Sequence, residues 1–281
     1  MKKKVTEQGK TEFSLTIQDC VEGMRKLSSE SVDVVVTSPP YNIGTRYNAY
    51  NDRRKREDYL RWTVSWATEV KRVLKPSGSL FLNIGGVSSD PLLPHELVVE
   101  VGALFTLQNT FHWIKSITVQ TRDENILSVG HFKPINSRRF VNDCHEFIFH
   151  LTKHGSTPLA RLSLGVPYAD KSNVTRWAHT KGKDLRCRGN NWFIPYETIQ
   201  NRAAKRPHPA TFPAQLAANC IKIHGWTPDL VLLDPFMGIG NSAVAAKQLA
   251  IRKFIGFDID GDYVELAHTK IGICFASLKS H

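Results

Sequence analysis

Val32-Asp33-Val34-Val35-Val36 is a near-continuous apolar run, and Thr37-Ser38-Pro39-Pro40-Tyr41-Asn42 follows it at once. A strand with one solvated face alternates apolar and polar residues, whereas a run of this kind belongs to a strand covered on both faces of a parallel sheet. Helices on the two sides of the sheet supply that cover, so the segment points to an α/β architecture.

The flanking sequence keeps the same rhythm. Residues 57–74 carry Leu60, Val64, Ala67, Lys71 and Leu74 at helical spacing, and Pro76-Ser77-Gly78 is expected to stop that helix. Residues 79–84 read as the next strand. Asp90-Pro91 reads as a cap and first residue of a helix running to about residue 104. Residues 106–115 and 145–152 are strand-like. Beyond residue 207 the alternation resumes, with helices predicted over 213–224, 242–250 and 262–275 and strands over 230–233 and 254–257. Alternation on both sides of a break predicts one doubly wound α/β domain with a mostly parallel sheet, built from 13–152 and 207–281.

The break is residues 153–206, where apolar periodicity fades and basic residues dominate. Trp177, Trp192, Asn190 and Asn191 are set among Arg161, Lys171, Arg176, Lys181, Lys183, Arg186 and Arg188. This mixture suits a nucleic-acid surface and equally suits a solvated insertion. The net charge of +11 on 281 residues favours a polyanionic partner. Residues 1–12 are polar and basic and are expected to form a loose tail. The five cysteines (Cys20, Cys144, Cys187, Cys220 and Cys274) show no CxxC spacing, so neither a zinc site nor a disulfide framework is indicated. No apolar run reaches the length of a membrane span, and a cytoplasmic location is expected.

Two loops carry the chemistry. In a parallel sheet, ligands bind at the carboxyl ends of the strands. Pro39 and Pro40 fix the backbone and remove two donors, leaving a stiff loop of carbonyl acceptors beside the Ser38 hydroxyl. Such a loop can hold the amino group of a planar heterocycle while Tyr41 stacks on the ring. The same residues would also serve as a turn that simply ends a strand. The second loop is Asp234-Pro235-Phe236-Met237-Gly238-Ile239-Gly240, which passes from strand to helix and lets a ligand approach the backbone. Asp258, at the tip of the following strand, can bond both hydroxyls of a ribose. No lysine of a triphosphate-binding loop follows the glycines.

These segments, with His208-Pro209-Ala210-Thr211-Phe212-Pro213 between them, resemble the β-class DNA amino-methyltransferases, in which the Ser-Pro-Pro-Tyr loop precedes the glycine loop. The resemblance covers most of residues 13–271 and is weak through the insertion. It implies a Rossmann-like methyltransferase fold and S-adenosylmethionine as cofactor, with Ser38, Pro39, Pro40 and Tyr41 as the catalytic loop. It also implies Phe236, Gly238 and Gly240 along the methionine part of the cofactor, Asp234 facing its amino group, and Asp258 on the ribose. Asp19 would lie near the adenine, and Thr211 and Phe212 would contact the cofactor. Ile239-Gly240-Asn241-Ser242 departs from the commoner Ser-Gly-Thr-Thr. The insertion falls where the class places target recognition, so Arg161, Arg188, Asn190, Asn191 and Trp192 are the expected DNA contacts. Double-stranded DNA is the implied partner, with a homodimer and a cognate restriction endonuclease as candidates, and no metal or membrane is required. Ser38 points to N4 of cytosine, with N6 of adenine as the alternative. A nucleotide-dependent oxidoreductase would fit the glycine loop but leaves Ser38–Tyr41 without a role. A non-catalytic DNA-binding module is at odds with two intact loops.

Overall fold

The computed structural model describes residues 11–121, 123–130, 132, 135–195 and 210–272. The predicted tail up to residue 10, the basic residues Arg202, Lys205 and Arg206, the His208-Pro209 pair, and Cys274 lie outside these residues.

The chain runs β1 (Glu12–Ile17), α1 (Cys20–Arg25), β2 (Val32–Thr37), α2 (Arg56–Val73), β3 (Leu74–Ile84), α3 (Leu93–Gly102) and β4 (Thr106–Ile114). It continues through β5 (Ser116–Gln120), β6 (Ile126–Gly130), β7 (His145–Thr152), α4 (Ser172–Arg176) and β8 (Asn191–Phe193). The last elements are α5 (Ala214–Gly225), β9 (Val231–Asp234), α6 (Asn241–Gln248), β10 (Lys253–Asp258) and α7 (Gly261–Lys270). Eight strands form one sheet in the order β1-β10-β9-β2-β3-β7-β4-β8, while β5 and β6 make a separate two-stranded ribbon. The strands from β1 to β3 are mutually parallel, and β7 runs antiparallel to both β3 and β4. This is the expected doubly wound, mostly parallel fold.

The valine run sits at the centre. Val34 and Val36 belong to one apolar cluster and Val32 and Val35 to the cluster on the other face, all at most 1% exposed. Full burial of each such side chain contributes about 1.5–3 kcal/mol, which is why this strand admits so few polar residues. Its one charge, Asp33, is partnered: it pairs with Lys75 Nζ at 2.6 Å and accepts the Val231 amide at 2.9 Å.

Three local expectations change. Pro76-Ser77-Gly78 follows the helix end as expected but lies inside the next strand, which was expected to begin only at Ser79. Helix α2 ends at Val73 and β3 begins at Leu74, with residues 75–78 bulging between the Val32–Leu74 and Val34–Ser79 pairs. Helix α3 begins at Leu93, and the proline in its first turn is Pro94 rather than Pro91. Asp90 does not cap it, since the cap position is Leu92, and its carboxylate pairs instead with the Arg56 guanidinium. The ribbon of β5 and β6 had no counterpart in the sequence reading.

The third change concerns the insertion, whose last strand extends the main sheet. β8 pairs in parallel with β4 through His112–Asn191, Trp113–Trp192 and Ile114–Phe193. Trp192 is 0% exposed, 4.5 Å from the Phe111 ring centre to centre, and part of the same cluster as Val34. It is a core residue, and its expected place at a DNA surface is corrected accordingly. Trp192→Ala should lower stability by about 3–5 kcal/mol in denaturant unfolding, as for other large buried aromatics. A surface contact would leave the midpoint unchanged.

Candidate active site

The carboxyl ends of β1, β10, β9, β2, β3 and β4 open on one side of the sheet. Antiparallel β7 brings its amino end to the same side, because Ile84 pairs with Phe147 and Ile114 with His145. A cavity of about 680 Å³ lies there, within the usual range for small-ligand sites. Both loops singled out in the sequence line it.

The first loop is held rigid from several directions. Thr37 Oγ1 donates to Asp234 Oδ1 at 2.8 Å, and Tyr59 Oη of α2 donates to the Pro40 carbonyl at 2.8 Å. Immediately downstream, the buried Asp52 carboxylate accepts the amides of Asn42, Ile43 and Thr45 at 2.7, 3.2 and 2.9 Å. These bonds hold Asn42 at a φ of 60°, a left-handed conformation that asparagine tolerates better than most residues. Ser38, Pro39, Pro40 and Tyr41 all reach the cavity wall. Tyr59 occupies the Pro40 carbonyl, so the Ser38 hydroxyl and the Ser38 and Pro39 carbonyls are the candidate acceptors for an amino group.

On the other side, the Phe236 ring lies against Trp62 and Trp66 of α2, with centroids at 5.3 and 5.4 Å. The Gly238 amide donates to Asp258 Oδ2 at 2.8 Å, and the Asp260 amide to Asp258 Oδ1 at 2.9 Å. Burial pushes the Asp258 carboxyl above the usual range, opposed by these amide bonds. Asp19, Thr211, Phe212, Phe236, Gly238 and Asp258 all line the cavity. Asp19 is at the same time the cap of α1, accepting the amides of Val21 and Glu22.

Two expected cofactor contacts sit elsewhere. Asp234 is 0% exposed and lies beneath the cavity floor, where it accepts Thr37 Oγ1, the Phe236 amide and Ser242 Oγ, the last at 2.6 Å. It orders the loops around the cavity and does not face into it. Gly240 is likewise absent from the wall. Its φ is 78°, and an added Cβ would stand 2.7 Å from Ala267 Cβ, so α7 packing requires glycine here. Of Asn241 and Ser242, whose departure from the commoner pattern left their roles open, Asn241 lines the cavity while its Nδ2 donates to the Phe212 carbonyl at 2.7 Å, and buried Ser242 bonds Asp234.

Sequence reasoning missed a polar group at the base of the cavity. Glu146 of β7 accepts Tyr41 Oη at 2.9 Å, Asn83 Nδ2 of β3 at 2.7 Å and Lys115 Nζ at 3.0 Å. Ser38 Oγ is 2.8 Å from Tyr41 Oη. Burial and the neighbouring Glu146 carboxylate push the Tyr41 phenol well above its ordinary value, so it keeps its proton. Asn83 did carry a signal, as the one polar residue between Leu82 and Ile84 in an apolar strand.

The expected DNA contacts lie away from the cavity. Arg161 and Asn191 are exposed. Arg188 is exposed and donates to the Leu164 carbonyl at 3.1 Å, and Asn190 donates to the Thr110 carbonyl at 2.9 Å. Among the described residues no group of three or more His, Cys, Asp or Glu could hold a metal ion, and no helix is long and apolar enough to cross a membrane.

A family model described as DNA methylase, of the N6/N4 type, matches residues 32–269. The chain belongs to this family of DNA amino-methyltransferases. It is 30% identical over 255 residues to the type II methyltransferase M.BglII of Bacillus subtilis, covering 89% of this chain and 66% of that protein. It is 24% identical over 264 residues to the DNA adenine methyltransferase YhdJ of Escherichia coli, covering 91% and 81%. The PvuII DNA methyltransferase, titled cytosine-N4-specific, shares the fold with a TM-score of 0.68 at 21% identity, over 93% of this chain and 87% of that one. Solved chains of this fold include complexes with S-adenosylmethionine, the methyl donor of the family. The cavity fits such a molecule, with aromatic walls at Tyr47, Tyr50, Trp62 and Phe236 and carboxylates at Asp19 and Asp258.

Burial raises the Asp234 carboxyl to about 6, against the opposing bonds from Ser242, Thr37 and the Phe236 amide. The folded state therefore holds this proton more tightly than the unfolded chain. The resulting stabilisation is complete below the ordinary carboxylate range and is lost as pH rises through about 6. Asp234→Asn, which cannot ionise, should gain stability over the parent by about 2 kcal/mol between roughly pH 4 and pH 7. Urea unfolding at the two pH values checks this; a pH-independent difference would mean Asp234 is not held in a raised state.

Proposed function

We propose that the protein transfers a methyl group from S-adenosylmethionine to N4 of a cytosine in duplex DNA, with that base flipped into the cavity. The observation that carries the reading is the neutral Ser38 hydroxyl, on a loop whose Ser38, Pro39, Pro40 and Tyr41 line the same cavity as Phe236, Gly238 and Asp258. A neutral hydroxyl can accept from the amino group of cytosine without setting a negative charge beside the N3 lone pair, as an ionised carboxylate would.

When bound, S-adenosylmethionine supplies an electrophilic sulfonium methyl. The chain holds the two reactants in line and meets the charge that shifts between them. Asp258 is assigned to the ribose hydroxyls, Phe236 and Gly238 to the methionine part, Asp19 to the adenine edge, and Thr211 and Phe212 to the opposite wall. Acceptors at Ser38 and Pro39 bond the amino hydrogens and draw the nitrogen lone pair out of conjugation with the ring. Flipping the base costs a few kcal/mol of stacking and pairing, offset by contacts in the cavity and along the duplex. The +11 charge attracts DNA. Arg161, Arg188, Asn190 and Asn191 are proposed for target recognition in the insertion, with a restriction endonuclease and a second copy of the chain as further partners.

The cytosine-N4-specific PvuII enzyme supports the choice of atom, while the adenine enzyme YhdJ belongs to the same circle of relatives, so the nucleoside product decides. DNA from a host expressing the chain should contain N4-methylcytosine by mass spectrometry. N6-methyladenine alone would overturn the target atom and leave the catalytic loop standing. For the cofactor, Asp258→Ala should weaken S-adenosylmethionine binding by about ten- to a hundredfold, as expected for loss of a charge-assisted contact of roughly 1.5–3 kcal/mol. Calorimetry showing unchanged affinity would remove Asp258 from the ribose.

A further inference from the structure

Glu146 has no part in the methyl-transfer scheme above, yet its carboxylate ends a chain of hydrogen bonds that begins at Ser38. Its side chain is 15% exposed and contacts groups from three other elements: Tyr41 after β2, Asn83 in β3 and Lys115 after β4. The direction of the chain follows from the groups in it. An ionised carboxylate can only accept, and Tyr41 has one proton, which therefore points to Glu146 Oε2. At its 2.8 Å contact with Ser38, Tyr41 Oη must then accept, and the Ser38 proton points inward. Asn83 Nδ2 reinforces this direction, lying 2.7 Å from both Tyr41 Oη and Glu146 Oε2. The opposite amide orientation would set Asn83 Oδ1 against the carboxylate. Asn83 Nδ2 lies on one Ser38 lone pair at 3.4 Å, and the other is left to accept from an amino group.

We infer that Glu146, acting through Tyr41, is the positioning residue that fixes Ser38 as an acceptor and takes up the proton released on methylation. The inference rests on the amino-methylation reading and holds for either base. As the nitrogen–methyl bond forms, the methyl–sulfur bond breaks and its electron pair stays on sulfur. The nitrogen becomes cationic and gives one proton to Ser38 Oγ, whose own proton passes to Tyr41 Oη, and the Tyr41 proton passes to Glu146 Oε2. The products are a neutral methylamino base, a neutral thioether and a protonated Glu146. The positive charge of the sulfonium and the negative charge of the carboxylate are both consumed.

Glu146→Gln is the direct test, because an amide can donate to Tyr41 and reverse the whole chain without changing its shape. The readout is single-turnover transfer of tritiated methyl from S-adenosylmethionine to unmethylated bulk DNA. The rate should fall roughly a hundredfold, as for loss of a general base, while affinity for S-adenosylmethionine stays within about twofold. Glu146→Asp should recover part of the rate. Tyr41→Phe cuts the same chain, so the double variant should be about as slow as the slower single one, since coupled groups are not additive. An E146Q rate within about threefold of the parent, or a double variant with multiplied losses, would overturn the relay alone. A parent protein that methylates no DNA would overturn the functional reading and the relay with it. If E146Q does not fold, Tyr41→Phe decides: a rate equal to the parent sinks the proposal.

Discussion

The Asp234 carboxylate holds the two halves of the site together. One oxygen takes the Thr37 hydroxyl at the end of β2 and the Phe236 amide, and the other takes the Ser242 hydroxyl at the start of α6. Thr37 and Asp234 are 197 positions apart in the chain, and they join the Ser-Pro-Pro-Tyr loop to the glycine loop on the floor of one cavity. Burying a carboxylate is costly unless its lone pairs are satisfied, and three donors from two loops meet that need here. A buried group whose satisfaction depends on two loops makes the position of each conditional on the other.

Around this clamp the sheet supplies directions. Parallel strands β1, β10, β9, β2 and β3 present their carboxyl ends together, which gathers Asp19, Asp258, Phe236, Ser38 and Asn83 within reach of one ligand. Antiparallel β7 adds what parallel topology alone could not, a carboxylate at the amino end of a strand. Glu146 therefore faces Tyr41 and Asn83. Aromatic residues of α2, Trp62 tilted and Trp66 edge-on against Phe236, hold that side of the cavity.

The insertion is less separate than its composition suggests. Its final strand, β8, adds to the sheet edge beside β4, and Trp192 packs against Phe111 within the main core. Basic side chains stay at the surface of the same segment. Trp192 thus anchors the segment to the core while the segment's basic side chains from Arg161 to Arg188 stay exposed.

Much of the fold was legible because local periodicity is written within short windows. The valine run announced a doubly covered strand, and alternation on either side announced the sheet. The strand-end loops announced where a ligand would lie, with Ser38, Tyr41, Phe236, Gly238 and Asp258 all found at the cavity. The sequence by itself therefore determined the fold class, the family and the two loops that meet at the cavity. What it could not convey is which residues from distant strands become neighbours, because strand order and register are settled by burial over the whole chain. Tertiary structure decided that Asp234 is a clamp beneath the floor, that Gly240 serves the packing of α7, and that Trp192 is core. It also brought Glu146, Asn83 and Lys115 to Tyr41. Each of those outcomes depends on long-range packing that satisfies a buried polar group or fills a buried volume, and neither requirement can be read from a residue's near neighbours in the chain.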